Sequence, residues 1–255
     1  VLSSFYRTPK YFSSEKIYSS DYKQRVKKEF LMGWFLKFTK SSIGKKFVMG
    51  ITGSFLIIFL IVHLIGNLTL FFGAETFNTY VLALDVVKPL IRVIEIVLLL
   101  AFLFHIYNGI KLWYENKKAK PINNKVSAGS ENSSIFSRTM VHTGSIVFIF
   151  LVIHLATFFY RFNFFDPEGL ADEHKYFDIV VNFLQMPVYS LFYVLAVILL
   201  GFHLNHGFQS VFQTFGWTHK RYTPIVKSLG TLYAVVMAVG FASIPIYFLF
   251  FFGGN

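Results

Sequence analysis

The chain contains no cysteine. Disulfides, cysteine-ligated zinc and cysteine-ligated iron–sulfur clusters are therefore excluded. Charge is also scarce. Charged residues are 15% of the 255, and acids number 13 against 24 bases. Apolar surface stands in their place: hydrophobic residues are 55% of the chain, Phe alone supplies 33, and the mean hydropathy is +0.55. Soluble chains hold about 45–50% apolar residues. The net charge of +11 does not point to nucleic acid, because the basic residues lie between hydrophobic runs, where they set membrane topology.

Five segments, about Phe47–Phe72, Pro89–Trp113, Thr139–Phe162, Pro187–Phe212 and Ile225–Phe252, exceed the ~20 apolar residues that a spanning helix needs. Only a helix satisfies its own backbone inside lipid. The expected fold is all-α and integral to the membrane. A polar N-terminal extension, residues 1–40, precedes a five-helix transmembrane domain, residues 41–255.

Charge sets the direction. Eleven Lys and Arg precede the first span, among them Lys37, Lys40, Lys45 and Lys46. Lys117, Lys118, Lys120, Lys125 and Arg138 lie between the second and third spans, and Lys220 and Arg221 between the fourth and fifth. The third–fourth connection is acidic, with Asp166, Glu168, Asp172, Glu173 and Asp178. The first–second connection has Glu75 and Asp85, with Lys88 at its end. The positive-inside rule puts the N-terminus in the cytoplasm and the C-terminus outside. Residues 1–31 have no apolar core and do not read as a secretory signal. Glu15, Asp21 and Glu29 also argue against a mitochondrial transit peptide. The expected start is Met32, with the preceding stretch a dispensable extension.

The first four spans form two similar halves. Thr52-Gly53-Ser54 leads to Ile61-Val62-His63-Leu64, and Thr143-Gly144-Ser145 to Val152-Ile153-His154-Leu155. Glycine to histidine is ten residues in both. Pro89 precedes Phe104-His105 and Gly109, and Pro187 precedes Phe202-His203 and Gly207, each histidine sixteen residues after its proline. Each half crosses and returns, as in a parallel repeat about an axis along the membrane normal.

A lone intramembrane histidine is ordinarily a polar residue satisfied by a neighbouring helix. Four at repeated positions ask for a function, because ionisable groups in lipid are costly. His63 lies about 26 Å beyond Lys46, and His154 about 24 Å beyond Arg138, at 1.5 Å per residue. His105 lies about 9 Å from Lys111 on the same measure, and His203 matches it by repeat. His63 should face His154 and His105 should face His203, the two pairs about 15 Å apart along the normal. One metal ion needs three or four converging ligands. Two facing imidazoles instead suit the axial positions of a haem iron, and double ligation favours electron transfer over oxygen binding. The first four spans are thus expected to form a two-fold-repeated bundle holding two b haems. Gly53, Gly144, Gly109 and Gly207 let a macrocycle, or equally another helix, approach closely.

Other residues compete for roles. His206 lies one turn from His203 and is a rival ligand, though His203 has the repeat offset. His142 sits at a membrane boundary, and His174 and His219 fall in loops. Arg92, Arg138, Lys45 and Lys46 stand at span ends, where snorkelling and pairing with haem propionates are both open.

These residues resemble the single-subunit, five-span dihaem cytochrome b anchor of succinate:quinone oxidoreductases, the membrane subunit of succinate dehydrogenase and fumarate reductase. The likeness runs from about Ser41 to Phe252. It rests on Ser41-Ser-Ile-Gly-Lys-Lys46, His63-Leu-Ile-Gly-Asn67, Gly73-Ala-Glu-Thr-Phe-Asn78, Phe104-His105, Phe202-His203 with His206-Gly207, and the step from His203 through Phe215-Gly216 to Trp217. It looks like the form found in Bacteroidetes-like bacteria.

The resemblance implies axial ligation by His63, His154, His105 and His203, and placement in the bacterial cytoplasmic membrane. It implies a flavoprotein and an iron–sulfur subunit on the cytoplasmic face. Electrons would pass between the iron–sulfur subunit and a membrane quinone, usually menaquinone, in succinate oxidation or fumarate reduction. Asp85 stands where some relatives have a carboxylate near the distal quinone site, with an exposed loop acid as the plainer reading; Glu75 is a lesser candidate. An acid beside the fourth ligand in some relatives has no counterpart, since Leu204 and Asn205 follow His203. The rivals are a dihaem anchor of a hydrogenase or formate dehydrogenase, a haem-free proton or metal transporter, and a di-iron oxidase. A transporter would need broken helices around a polar cavity. A di-iron site would need histidines clustered at one depth, a spacing that His203 and His206 alone have.

Overall fold

The computed structural model describes residues 33–34, 36–119, 135–164 and 175–253. Among them every regular element is a helix. Met32 and nearly all of the N-terminal extension lie outside the described residues. So do Lys120, Lys125, Asp166, Glu168, Asp172, Glu173 and His174.

The chain divides into two units, Val1–Lys45 and Lys46–Asn255. In the first, the Gly44 N–H donates to Ser41 Oγ at 3.0 Å. Ser41 thereby caps helix α1, Ser42–Leu68, by answering one of the N–H groups that a helix start leaves unpaired. The second unit holds the membrane bundle.

Among the described residues, five helices are long and apolar enough to cross a membrane: Ser42–Phe72, Lys88–Lys118, Met140–Phe164, Pro187–Thr214 and Thr223–Phe250. The first is α1 with a 3-10 turn, Thr69–Phe72. Helix α2 is Ala74–Val86 and α3 is Lys88–Lys118. The third span follows the short α4, Ile135–Arg138. It joins α5, Met140–His154, through a π turn, Leu155–Phe159, to α6, Tyr160–Phe164. After α7, Lys175–Leu184, come α8, Pro187–Thr214, and α9, Thr223–Phe250. Proline occupies the first helical positions of α3, α8 and α9, where its missing N–H costs nothing. Helix α8 stops at Gly216, with φ of 75°. There the Trp217 N–H reaches Phe212 O at 2.9 Å and the Gly216 N–H reaches Gln213 O at 3.1 Å, closing a Schellman turn.

Helices α8 and α9 pack most closely. A β-carbon on Gly201 would come within 2.9 Å of Ala238 Cβ, and one on Gly230 within 2.9 Å of Phe208. Small residues let membrane helices approach where no hydrophobic force drives them together. Helix α9 also meets α1. Leu64 fills the space beside Gly240, and Tyr233 Oη donates to Ile57 O at 2.8 Å. By contrast α3 is buried only at Asn108. Its large residues, such as Val93, Ile96, Leu99 and Leu103, are exposed, as suits a lipid-facing helix.

The two ends of the bundle differ. At one end lie Lys46, Lys111, Lys117, Lys118, Arg138, Lys220, Arg221 and Lys227. This is the basic end. At the other, α2 and α7 form a cap that the hydropathy runs leave unmarked. Phe77, Phe177, Val180, Val181 and Leu184 are buried together with Phe248 of α9. The Phe177 N–H donates to Asn78 Oδ1 at 3.0 Å, tying the start of α7 to α2.

Candidate functional site

Four histidines from four spans meet in two couples. Toward the capped end, His63 of α1 and the last residue of α5, His154, have ring centroids 5.8 Å apart with planes at 87°. Toward the basic end, His105 of α3 and His203 of α8 have centroids 6.3 Å apart with planes at 63°. Two imidazoles bound to opposite sides of one metal, with bonds of about 2 Å and about 1.1 Å from nitrogen to ring centre, would hold their centroids about 6 Å apart. Both couples fit that spacing. Among the described residues no three His, Cys, Asp or Glu side chains converge on a metal-sized site. Each couple therefore offers two protein ligands, the number that a porphyrin-bound iron needs.

The surroundings of the capped-end couple are aromatic. His63 stacks on Phe59 at 5.1 Å and meets Phe241 at 5.8 Å. Phe150, Phe158 and Tyr193 surround His154 at 5.5, 5.2 and 6.3 Å. The Asn67 amide donates to His63 O at 2.8 Å and stands 3.5 Å from His63 Nε2, too far for a strong bond. The π turn begins immediately after His154 and contains the buried Thr157. Such turns gather at functional sites because they re-aim the neighbouring side chains.

Around the basic-end couple the contacts repeat. A β-carbon on Gly53 would come within 3.5 Å of His105 Cε1, and one on Gly144 within 3.2 Å of His203 Cε1. Each glycine thus clears room for the histidine on the following long span. Thr52 Oγ1 stands 3.3 Å from His105 Nδ1. His154 Nδ1 and His203 Nδ1 are buried without a hydrogen bond of ordinary geometry, although His203 lies toward the Met140 carbonyl. Buried polar atoms left without partners are costly.

The remaining candidates are dispersed. His206 is half-buried and has no ring contact with His105, the ring there being that of His203. His142 is exposed. His219 lies in the loop before α9, where its N–H donates to Thr223 Oγ1 and its Nδ1 accepts from the Arg221 N–H. Asp85 is exposed at the end of α2 and pairs with Lys88 at 3.0 Å; Glu75 is exposed in the first turn of the same helix. Arg92 donates to Glu95 Oε2 at 2.8 Å and to Asn163 Oδ1 at 2.7 Å, joining the second and third spans. Glu95 was not anticipated as a partner. Its signal was a lone acid three residues after Arg92 inside an apolar run.

Residues 116–242 match the family model of the succinate dehydrogenase/fumarate reductase transmembrane subunit. The match covers just under half of the chain and supports that family. It takes in His154 and His203 and stops short of His63 and His105. No curated protein and no solved structure matches the chain. Similarity to the transmembrane-subunit family agrees with a membrane protein of five candidate spans.

Proposed function

We propose that the chain is the membrane anchor and electron-transfer subunit of a succinate:quinone oxidoreductase of the dihaem cytochrome b type, in the form found in Bacteroidetes-like bacteria. The observation that carries this reading is the pair of imidazole couples, with centroids 5.8 and 6.3 Å apart, at two depths of one bundle. His63 with His154, and His105 with His203, would hold two b haems as axial ligands. Bound there, the haems would supply one-electron chemistry between an iron–sulfur subunit and quinone.

The chain's own residues hold and orient those ligands. Phe59, Phe150, Phe158 and Phe241 keep water from the capped-end couple, and Thr52 fixes the ring of His105. Under the positive-inside rule the basic end faces the cytoplasm of a bacterial cell, with the N-terminus on that side. The flavoprotein and iron–sulfur subunits would dock there. Quinone, menaquinone in this form, would approach at the capped end, with Asp85 as the nearby carboxylate and Lys88 as its counter-charge.

The test is a reduced-minus-oxidised absorption spectrum of the complex in detergent, with haem counted per chain. Two low-spin b haems per chain are expected, with flavoprotein and iron–sulfur protein in the same preparation. A haem-free complex would overturn the reading. In a dihaem complex, Asp85→Asn is expected to slow quinone reduction while leaving haem content unchanged.

A further inference from the structure

The Thr-Gly-Ser triplets at 52–54 and 143–145 sit on the same helices as His63 and His154, yet their contacts are with the other couple. Ten residues separate Gly53 from His63 and Gly144 from His154, which is about 15 Å along a helix. That distance brings each triplet to the depth of the histidine on the next long span. The contacts agree: Gly53 faces His105 Cε1 and Gly144 faces His203 Cε1.

The threonine beside each glycine is buried, Thr52 being 8% exposed and Thr143 4%. A hydroxyl has one hydrogen to give. Thr52 gives it to its own helix, to Val48 O at 2.8 Å with Met49 O at 3.3 Å. Only its lone pairs remain for His105 Nδ1 at 3.3 Å. While Thr52 keeps its bond to Val48 O, Nδ1 carries the ring proton, and Nε2 of the neutral imidazole keeps the lone pair that binds a metal. Thr143 is arranged alike: its hydrogen is shared between Thr139 O and Met140 O, both at 3.1 Å. The neighbouring His203 Nδ1 is buried without a bond of ordinary geometry, and its ring lies toward the Met140 carbonyl, which also accepts from Thr143.

The geometry points to Thr52-Gly53 and Thr143-Gly144 as two seats for the imidazoles of His105 and His203, with Thr52 as a positioning residue and Thr143 bonded to the carbonyl that His203 approaches. The glycine admits the ring. The threonine oxygen accepts Nδ1–H, fixes the tautomer and raises the basicity of Nε2. Thr52 already holds its histidine. Beside His203 the Met140 carbonyl, which also accepts from Thr143, lies in reach of the ring. This rests on the haem reading above and adds to it that one couple is tuned by hydroxyls. The capped-end couple has no threonine oxygen bonded to its rings among the described residues.

A threonine that merely bonds its own helix would be replaceable by valine without effect on redox chemistry. A ligand hydrogen bond that raises basicity stabilises the oxidised iron. The experiment is a spectroelectrochemical titration of the whole complex carrying Thr52→Val, Thr143→Val, Thr52→Ser or His105→Ala. The expected result in Thr52→Val is two haems retained and an upward shift of one midpoint potential, that of the haem missing from His105→Ala. Thr143→Val should move the same haem less, because the Met140 carbonyl stays in reach of His203, and Thr52→Ser should restore the wild-type value. Selective loss of that haem in Thr52→Val with recovery in Thr52→Ser supports the seat as well. Two haems with unshifted potentials in both valine variants overturn it, as does equal loss of both haems in Thr52→Val and Thr52→Ser. A wild-type complex without haem overturns the haem reading itself, so the two failures are distinguishable.

Discussion

Gly144 lies against the imidazole of His203, so close that a β-carbon would stand 3.2 Å from Cε1; at Gly53 the same distance to His105 is 3.5 Å. The second is ordinary van der Waals contact and the first is tight. A single methyl group should therefore separate the two halves. Gly53→Ala is expected to keep both haems with an unchanged spectrum. Gly144→Ala should push His203 by a few tenths of an ångström and weaken retention of one haem. Valine at either position should eject that haem while sparing the other. Haem per chain after a detergent wash, compared across the four variants, reads the difference. Equal retention in all four would remove the glycines from the ligand environment.

The couples divide the four histidines into two independent units. Replacing both members of one couple should cost no more haem than replacing one, because a haem held between two imidazoles would be lost when either goes. Replacing members of different couples should cost both haems. His63→Ala and the double variant His63→Ala/His154→Ala are thus expected to retain the same single haem. His63→Ala/His105→Ala should retain none. The difference spectrum at low temperature, where two b haems resolve, measures this. If His203→Ala kept two haems and His206→Ala lost one, the ring facing His105 would have been misassigned.

The spans were legible because lipid demands long apolar helices, and Leu, Ile, Val and Phe accumulate in five runs. The adjacency of His63 with His154 and His105 with His203 was legible for a related reason. A fixed rise per residue converts offsets from Lys46, Arg138 and Lys111 into depth. Contacts that depend on rotation about a helix axis were not. Gly53 reads as a small residue for any neighbour, and nothing in its own helix names His105. The pairing of Arg92 with Asn163 is hidden likewise, because the partners are 71 residues apart on different spans. Helix α7 was overshadowed by the acids around it, although Phe177, Val180, Val181 and Leu184 already follow the helical period of a buried face. The π turn after His154 has no sequence mark at all.

Asn78 is 2% exposed, and its side-chain oxygen receives the Phe177 N–H at 3.0 Å. Removing it leaves a buried helix-start N–H unanswered. Asn78→Ala is expected to destabilise the cap by about 1–3 kcal/mol, the usual penalty for an orphaned buried donor. Asn78→Asp keeps an acceptor and adds a negative charge at a helix N-terminus, so it should recover part of the loss. Thermal unfolding in detergent, followed by circular dichroism, would show the order wild type, Asp, Ala. An alanine variant that melts with the wild type would mean that α7 is held by its apolar face alone.

Arg92 and Glu95 pair at 2.8 Å with side chains 37% and 27% exposed. In water such a pair contributes about 0–1 kcal/mol. Glu95 stands seven residues inside Lys88, about 10 Å along the helix, where lipid replaces water around α3. There the alternative to pairing is an unsolvated charge, and removing one partner costs more than removing both. Glu95→Leu is expected to lower the unfolding temperature and the yield of membrane-inserted protein. Arg92→Leu should do the same, although Asn163 loses its donor too. The double variant should recover most of the loss, so that it loses far less than the two single losses summed. Glu95→Gln should fall between wild type and leucine, because the amide oxygen still accepts from the guanidinium. Unfolding midpoints for the wild type, the two leucine variants and their double close the cycle. Losses that simply add would mean that water reaches both side chains and that the pair does not tie the second span to the third.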